Sequence, residues 1–371
     1  MFNQSEQNFM QQALDLAEAG LYTSMPNPRV GCVIVKDGKV IGRGAHLRAG
    51  TPHAEIHALY EAGEAAKGAD VYVTLEPCSH HGRTPPCADA LVAAGVKRVI
   101  AAMQDPNPKV AGKGLAGLQS QDIEVACGLL EADAQALNPG FIKRMTESRS
   151  FVRSKIAASL DGRTALANGV SQWITGEQAR SDVQQWRASS CAIMTGIYTV
   201  LLDDPQMNIR QADLLEAKSG QQPLRVVVDS RLQISPEARI LQGGKVLVVY
   251  AEDAQAHAAA IKAAGADLVC LPNPQGKVDL LKLLQHLATL EINEVLVEAG
   301  QGLNGALQQA DLIDEYLFYY APVLLGSEAR GMFAMPSMTE MAQRAELEIL
   351  SMDRVGEDIR LRARPRLRLR A

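Results

Sequence analysis

The feature that most constrains this fold is a repeated alternation between helical patterns and short apolar runs typical of strands. An opening amphipathic pattern follows Ser5 and ends at Gly20, and the turn dipeptide Asp37-Gly38 joins two strand-like runs. The other predicted helices cover residues 53–66 and 87–94, and the predicted strands cover residues 30–35, 39–44, 71–75 and 98–102. This order requires crossover connections and predicts a three-layer α/β/α domain with helices on both faces of its sheet.

A polar stretch at residues 146–150 separates this series from a second α/β series that begins with a strand-like run at residues 151–159. Thr175 and Gln178 have the spacing of a capping box at the start of a helix. Further strands are predicted at residues 192–195, 225–229, 246–250, 267–271 and 294–297, and helices at residues 178–188 and 279–290. The length of 371 residues also favours two domains, which we place at residues 1–148 and 149–371.

Composition narrows the class of protein. Six cysteines in a chain of 371 residues favour metal binding or simple burial over a disulfide framework. A net charge of −5 argues against broad nucleic-acid binding and favours small-molecule partners. The sequence has no long apolar stretch for a membrane and no secretory signal pattern at its start, so we expect a cytoplasmic protein without membrane or nucleic-acid partners.

The most specific motif combines His53 and Glu55 with Cys78 and Cys87. One histidine and two cysteines suit a tetrahedral Zn²⁺ whose fourth position is open for water, as in catalytic zinc sites. Glu55 can then move a proton between that water and a leaving amine. The pattern is that of the zinc nucleobase deaminases, in which the glutamate is the acid/base and not a ligand. It predicts hydrolytic deamination.

A second interpretation remains open for the same residues. The two cysteines could be buried thiols and His53 a residue at a helix start, with no metal nearby. His57 follows His53 by four residues but lacks the order of the zinc-protease motif, so we interpret it as a packed helix residue.

Eight residues separate Cys78 from Cys87, whereas cytidine and tRNA adenosine deaminases usually place two there. The stretch from Pro77 to Cys87 resembles the signature of the diaminohydroxyphosphoribosylaminopyrimidine deaminases of the riboflavin pathway. Residues 27–32 and 105–114 resemble two further loops of that family. The resemblance implies a cytidine-deaminase-like fold, a pyrimidine contact from Asn27, and a phosphate contact from the loop with His80, His81 and Arg83.

The second domain resembles the reductase that is fused to this deaminase, a dihydrofolate-reductase-like α/β fold. Residues 154–163, 171–175, 199–205 and 297–300 carry the resemblance. A glycine-rich turn at residues 300–305 follows a predicted strand, and its backbone amides could hold a pyrophosphate. Together the two halves imply zinc-dependent deamination of the diaminopyrimidinone ribosyl phosphate, followed by NADPH-dependent reduction of its ribosyl side chain to ribityl.

The resemblance also implies residue roles in the reductase. Arg187 and Arg210 suit a phosphate clamp, and Lys155 would assist near the sugar carbonyl. The chain departs from the family pattern at Ala299, in the expected cofactor turn, and at the pair Met207-Asn208, in the expected substrate pocket. The expected cofactor residues are Ala157, Trp173, Thr199, Asp203, Ser230, Gly300 and Gly302, and the expected substrate residues are Ser171, Arg187, Met207, Arg210, Glu298 and Lys155.

Two other functions are compatible with parts of the sequence. The arginine-rich stretch at residues 360–370 could be an RNA-binding tail of an RNA deaminase, although its two-residue alternation indicates a strand that Pro365 ends. A binding protein that has lost catalysis is the third class, and the intact zinc motif argues against it. The family resemblance also implies possible homo-oligomers.

Overall fold

The computed structural model describes residues 2–79, 86–108 and 110–366. The chain forms two compact units, Met1–Ser148 and Arg149–Ala371. In the described ranges, no helix combines the length and the apolar character that crossing a bilayer requires.

The first unit contains a mixed five-stranded sheet among its described residues. In chain order its elements are α1 (Gln4–Ala17), β1 (Gly31–Lys36), β2 (Lys39–Ala45), α2 (Ala54–Ala62), β3 (Asp70–Val73), α3 (Cys87–Ala93), β4 (Arg98–Ala101), α4 (Lys113–Gln119), β5 (Glu124–Cys127), α5 (Glu131–Leu137) and α6 (Pro139–Glu147). The strand order is β2-β1-β3-β4-β5. β1 is antiparallel to β2 and β3, while β3, β4 and β5 are parallel, so the carboxyl ends of the last three strands share one edge.

Two close glycine contacts show how helices cover this sheet. A Cβ atom on Gly31 would lie 1.9 Å from the carbonyl oxygen of Ala13 in α1, and one on Gly44 would lie 2.0 Å from that of Ala54 in α2. Gly44 is paired with Cys32 across β1 and β2, so these two residues face the same side of the sheet, and Gly31 faces the other. Helices α1 and α2 therefore cover opposite faces, which confirms the predicted three layers.

The predicted opening helix and hairpin are confirmed with a small shift. Helix α1 begins before Ser5, because Asn3 caps it in a reciprocal capping box with Glu6. In the hairpin, Asp37 and Gly38 have φ values of 53° and 72°, the left-handed conformation that a tight turn between antiparallel strands requires.

The second unit contains a nine-stranded sheet and a small two-stranded one among its described residues. In chain order its elements are β6 (Phe151–Ser159), β7 (Arg163–Ala165), α7 (Glu177–Ser189), β8 (Ala192–Gly196), α8 (Ile197–Asp203), α9 (Ala212–Ala217), β9 (Leu224–Val228), β10 (Val246–Tyr250), α10 (Ala258–Ala263), β11 (Asp267–Cys270), α11 (Leu280–Thr289), β12 (Glu294–Glu298), α12 (Gln301–Gln309), β13 (Glu315–Ala321), β14 (Arg330–Gly331), β15 (Leu347–Val355) and β16 (Asp358–Pro365). The large sheet has the order β11-β10-β9-β8-β12-β6-β13-β16-β15, and β7 pairs with β14. Its strands are parallel from β11 to β13, whereas β16 runs antiparallel to β13 and β15.

The capping box predicted for Thr175 and Gln178 is wrong. The N-cap of α7 is Gly176, which has no side chain that could cap the helix. Its backbone N–H instead donates to Asp358 Oδ2 at 2.8 Å. This carboxylate lies in β16, 182 residues along the chain, so local spacing could not reveal it.

The arginine-rich C-terminal stretch forms strand β16, as its alternation predicted. The arginines at positions 360, 362 and 364 each pair with a carboxylate of the same unit. Because these guanidinium groups already have anionic partners, the described part of the stretch gives no support to RNA binding. Residues 367–371 lie outside the described ranges.

Candidate active sites

The three predicted metal ligands of the first unit meet at the starts of two helices. His53 immediately precedes α2, Cys87 is the first residue of α3, and Cys78 lies between β3 and α3. His53 Nδ1 lies 3.2 Å from Cys87 Sγ and 3.7 Å from Cys78 Sγ. All three ligand atoms lie within 4.8 Å of one another. The structure therefore brings together the residues that the motif predicted.

These separations fit a tetrahedral zinc ion. Zn–S bonds of about 2.3 Å and Zn–N bonds of about 2.05 Å at tetrahedral angles place a sulfur and a nitrogen about 3.6 Å apart. The two observed nitrogen–sulfur distances, 3.2 and 3.7 Å, lie on either side of this value. Among the described residues the ligand cluster consists of His53, Cys78 and Cys87. Three protein ligands leave one position for water, as a hydrolytic zinc site requires.

Hydrogen bonding shifts the pKa values of the two cysteines in opposite directions. The hydrogen bond with the Cys87 thiol, followed by that with His53, lowers the pKa of Cys78 to about 4. The backbone N–H of Cys87 also donates to Cys78 Sγ at 3.3 Å. The side-chain hydrogen bond and burial raise the pKa of Cys87. Since the thiolate is the form that binds zinc, Cys78 is already prepared for a metal ion.

Glu55 is suited to move protons beside these ligands. It lies in the first turn of α2 and is only 4% exposed. Burial raises the pKa of its carboxyl group to about 7, and that pKa also responds to His53, Cys78 and Cys87 because all three are close. A carboxyl group that titrates near neutrality can both accept and release a proton.

Asn27 is held in place by His46, a residue that the sequence analysis missed. Asn27 Nδ2 lies 3.1 Å from His46 Nε2, and His46 Nδ1 lies 3.2 Å from the carbonyl oxygen of Pro52. Burial lowers the pKa of His46, which favours a neutral ring that donates through Nδ1 and accepts through Nε2. The ring also packs edge-on against His53, with the ring centroids 5.1 Å apart. His46 thereby orients the Asn27 amide beside a zinc ligand.

The structure describes one of the two other predicted deaminase loops more fully than the other. The predicted phosphate contact of His80, His81 and Arg83 falls outside the described residues and stays a prediction. In the loop at residues 105–114, Asp105 is buried, and burial raises the pKa of its carboxyl group to about 6. The backbone of this loop binds the carboxylate of Glu76, which the sequence analysis also missed.

The predicted reductase residues gather beyond the carboxyl ends of parallel strands. Strands β9, β8, β12 and β6 are neighbours in that order, and ligands of open α/β sheets bind beyond this edge. Lys155 and Ala157 lie in the second half of β6, Thr199 and Asp203 in α8 directly after β8, Ser230 after β9, Glu298 at the end of β12, and Gly300 and Gly302 at the start of α12. Ser171 and Trp173 lie in the connection between β7 and α7, where the Arg180 guanidinium carbon lies 4.8 Å from the centre of the Trp173 ring.

Three cations surround one carboxylate in this region. Glu298 Oε1 accepts a hydrogen bond from Arg187 Nε at 2.6 Å, and Oε2 accepts one from Arg187 Nη2 at 3.0 Å. Although burial alone would raise it, the pKa of Glu298 is lowered by the charges of Arg187, Lys155 and Arg210. Burial also lowers the pKa of Lys155, whose ammonium lies 5.9 Å from the centre of the Tyr319 ring. The excess of positive charge suits an anionic substrate.

The two arginines predicted to clamp a phosphate differ in their surroundings. Arg187 is buried, and its guanidinium group binds Glu298 and donates through Nη1 to the carbonyl oxygen of Asn208 at 2.7 Å. Arg210 is exposed, and its backbone N–H donates to Gln184 Oε1 at 2.8 Å. The phosphate clamp stays a prediction. Of the two arginines, Arg210 is the exposed one.

Two glutamines that the sequence did not indicate hold the backbone at Ile209 and Arg210. Gln184 binds the backbone of Arg210, and Gln222 binds both the N–H and the carbonyl oxygen of Ile209, at 2.8 and 3.0 Å. Met207, a predicted substrate residue, lies in the same segment and is buried with a φ of 51°.

The turn at the start of α12 has room for a ligand. Gly300 is the N-cap of α12, and a Cβ atom added to Gly300 or Gly302 would meet no atom within 4 Å. Side-chain hydrogen bonds fix this turn: Thr195 Oγ1 donates to the carbonyl oxygen of Glu298, and Asn304 Nδ2 donates to that of Ala299. A rigid helix start with open space at both glycines fits the pyrophosphate of a dinucleotide.

Family models match both units. The model described as the RibD C-terminal domain matches residues 150–361, and the one described as the cytidine and deoxycytidylate deaminase zinc-binding region matches residues 3–103. The riboflavin biosynthesis protein RibD of Escherichia coli (strain K12) is 48% identical over 363 residues, which cover 95% of this chain and 98% of the relative. RibD of Haemophilus influenzae is 46% identical over 374 residues, which cover 98% of this chain and 99% of the relative.

Solved structures are similar over nearly the same length. A structure of Acinetobacter baumannii RibD has 46% sequence identity and a TM-score of 0.89, covering 98% of this chain and 99% of that one. A Thermotoga maritima structure, described as a diaminohydroxyphosphoribosylaminopyrimidine deaminase/5-amino-6-(5-phosphoribosylamino)uracil reductase, has 30% identity and a TM-score of 0.83, covering 97% and 99%. The chain is a bifunctional enzyme with a zinc-binding deaminase domain and an NADPH-dependent reductase domain, and it belongs to the RibD family of riboflavin biosynthesis proteins.

Proposed function

We propose that residues 1–148 deaminate 2,5-diamino-6-(5-phosphoribosylamino)pyrimidin-4(3H)-one and that residues 149–371 reduce the ribosyl side chain of the product, 5-amino-6-(5-phosphoribosylamino)uracil, to ribityl. The observation that carries the first half is the meeting of His53, Cys78 and Cys87 beside the buried Glu55. The second half is supported by the cation cluster around Glu298 beside the open helix start at Gly300.

In the deaminase, His53, Cys78 and Cys87 hold the zinc ion, which when bound lowers the pKa of a water molecule toward 7. Glu55 accepts a proton from the attacking water and delivers it to the departing amine. Asn27 holds the pyrimidine ring through the part of its amide that His46 does not bind. The product is the uracil derivative, and ammonia leaves.

In the reductase, NADPH supplies the hydride, and the chain binds and orients both reactants. Ring opening of the ribosyl group leaves C1′ as the carbon of a C=N bond and the ring oxygen as a hydroxyl. Lys155 and Glu298 lie near C1′, and the ammonium of Lys155 supplies the proton that the nitrogen takes up as hydride adds to C1′. Arg210 binds the substrate phosphate, while Arg187 holds Glu298 in place. The remaining proposed contacts come from Ser171 and Met207 to the substrate, and from Ala157, Trp173, Thr199, Asp203, Ser230, Gly300 and Gly302 to NADPH.

We further propose a cytoplasmic location and a homo-oligomer. The first is supported by six cysteines that form no disulfide among the described residues, as in a reducing compartment. The second is supported by the family resemblance alone, and light scattering of the purified chain tests it.

The test is a two-part assay that follows ammonia release and NADPH oxidation separately. Glu55→Ala should lose ammonia release by roughly 10²-fold or more and still oxidise NADPH when given the deaminated intermediate. Lys155→Ala should show the reverse pattern. The proposal fails if the wild-type chain releases no ammonia from the diaminopyrimidinone, or if either variant loses both activities together.

A further inference from the structure

The carboxylate of Glu76 accepts four backbone hydrogen bonds, two from the loop between β4 and α4 and two from the first turn of α4. Oε1 accepts from the N–H groups of Gly114 at 2.9 Å and Leu115 at 3.2 Å, and Oε2 accepts from those of Asp105 at 3.1 Å and Gly112 at 2.9 Å. Glu76 is 3% exposed, so the whole carboxylate is used inside the protein. One side chain therefore holds both the loop between β4 and α4 and the start of α4 in place.

This loop is fastened beside a zinc ligand. Glu76 precedes Cys78 by two residues, and its own backbone N–H donates to the carbonyl oxygen of Met103 at 3.0 Å. A Cβ atom on Gly114 would lie 1.9 Å from the carbonyl oxygen of Pro77, so the loop lies directly against the segment that leads to Cys78. The loop follows β4, and Glu76 follows β3, so both are at the carboxyl ends of adjacent parallel strands.

The loop is also part of the environment of the deaminase site. Burial raises the pKa of the Asp105 carboxyl group to about 6, and the charges of Glu76 and Cys78 add to this effect. Asp105 Oδ1 accepts a hydrogen bond from the backbone N–H of Asn107 at 2.8 Å, so the start of the loop is rigid. The backbone that Glu76 holds therefore lies beside the segment that contains Cys78.

We propose that Glu76 is a positioning residue of the deaminase, which holds the loop between β4 and α4, together with the first turn of α4, as one wall of the substrate site. The inference rests on the proposed deaminase function and adds a residue to it. Glu76 does not touch the reacting atoms. It acts through the loop, so its loss should weaken substrate binding and orientation while the zinc ligands remain in place.

The experiment compares Glu76→Gln with wild type and with Glu64→Gln, a matched change at an exposed glutamate of the same unit. A glutamine keeps one acceptor oxygen and turns an NH₂ group toward two backbone N–H donors, so half of the contacts are lost. Zinc content, the kcat and KM for ammonia release, and NADPH oxidation with the deaminated intermediate are measured on each full-length chain.

For Glu76→Gln we expect one zinc per chain, normal NADPH oxidation, and a kcat/KM for ammonia release that is roughly 10- to 100-fold lower, mainly through a higher KM. Glu76→Asp keeps the charge and should recover part of the loss. Zinc-loaded Glu76→Gln with both constants within twofold of wild type would overturn the proposal. Loss of zinc from both variants would overturn it too, because Glu76 would then serve the fold alone. Inactivity of the wild type and Glu64→Gln would instead refute the deaminase function itself.

Discussion

The buried ion pair between Arg187 and Glu298 allows a prediction about stability. Their side chains are only 9% and 10% exposed, and two hydrogen bonds join them. In Glu298→Gln the shape of the side chain is kept but its negative charge is lost. Arg187 then remains buried without an anionic partner, with Lys155 and Arg210 nearby to add repulsion.

The expected loss follows from the burial. Removing one partner of a buried ion pair costs about 3–5 kcal/mol, because the desolvation of the other charge is no longer offset. With a urea m value of about 2 kcal/mol/M for a domain of this size, the unfolding midpoint should fall by roughly 1.5–2.5 M. The double variant Arg187→Met, Glu298→Gln should lose less than the sum of the two single variants, since it leaves no unpaired guanidinium group.

Tryptophan fluorescence can follow the unfolding of the second unit alone. The chain has two tryptophans, Trp173 and Trp186, and both lie in the second unit. Urea unfolding followed by tryptophan fluorescence therefore reports on that unit without interference from the first. The control is Glu348→Gln, which removes the partner of Arg364 in an exposed ion pair and should shift the midpoint by less than 0.5 M, as a loss of about 1 kcal/mol or less implies.

A midpoint for Glu298→Gln within about 0.5 M of wild type would refute the reasoning. Such a result would mean that water or a rearranged side chain neutralises the charge of Arg187. An additive double variant would refute it as well, because additivity would show that the two groups do not interact.

Three further predictions concern the metal, the cofactor turn and acid stability. Removal of zinc by a chelator should abolish ammonia release and leave NADPH oxidation with the deaminated intermediate unchanged; a parallel loss of both activities would contradict the separation of the sites. Gly302→Leu should raise the KM for NADPH roughly tenfold without lowering the urea midpoint, because its side chain enters open space where the pyrophosphate should bind, whereas Gly305→Ala should lower the midpoint, because its Cβ would lie 2.2 Å from the carbonyl oxygen of Ala334. Although burial would raise it, the pKa of Glu315 is lowered by the charges of Arg153 and Arg362, so this group contributes stability above its unfolded pKa of about 4.5 and loses it as the pH falls through the lower folded value. Glu315→Gln should therefore flatten the decline of the urea midpoint below pH 4.5, and an unchanged slope would count against it.

The zinc site could be predicted from the sequence although His53 is 25 and 34 residues from Cys78 and Cys87, because the ligand types and their short flanking patterns form a recognisable motif. His53 and Glu55 lie at the start of one helix and Cys87 at the start of another, so short-range spacing carries the information. The comparisons confirm the two-domain α/β fold and the use of zinc and NADPH. The individual residue roles remain predictions.

The residues that the sequence did not reveal are those that belong to no motif and whose partners lie elsewhere along the chain. Glu76 binds backbone groups 29 to 39 residues away, and His46 meets Asn27 across 19 residues. Neither belongs to a recognisable short motif, because a single carboxylate or imidazole that contacts unrelated loops produces no characteristic spacing in the sequence. The wrong cap at Thr175 has the same origin, since a remote strand supplied the partner of Gly176.

The close glycine contacts in the first unit help to position the metal ligands. Gly44 lets the first turn of α2 rest directly on the sheet, with the carbonyl oxygen of Ala54 where a methyl group would otherwise be. His53 and Glu55 flank Ala54, so the thickness of the layer beneath them sets their height above the strands. A methyl group at Gly44 would lie 2.0 Å from the carbonyl oxygen of Ala54, so the first turn of α2 would have to move away from the sheet. The close contact between α2 and the sheet at Gly44 therefore helps to set the position of His53 relative to the two cysteines.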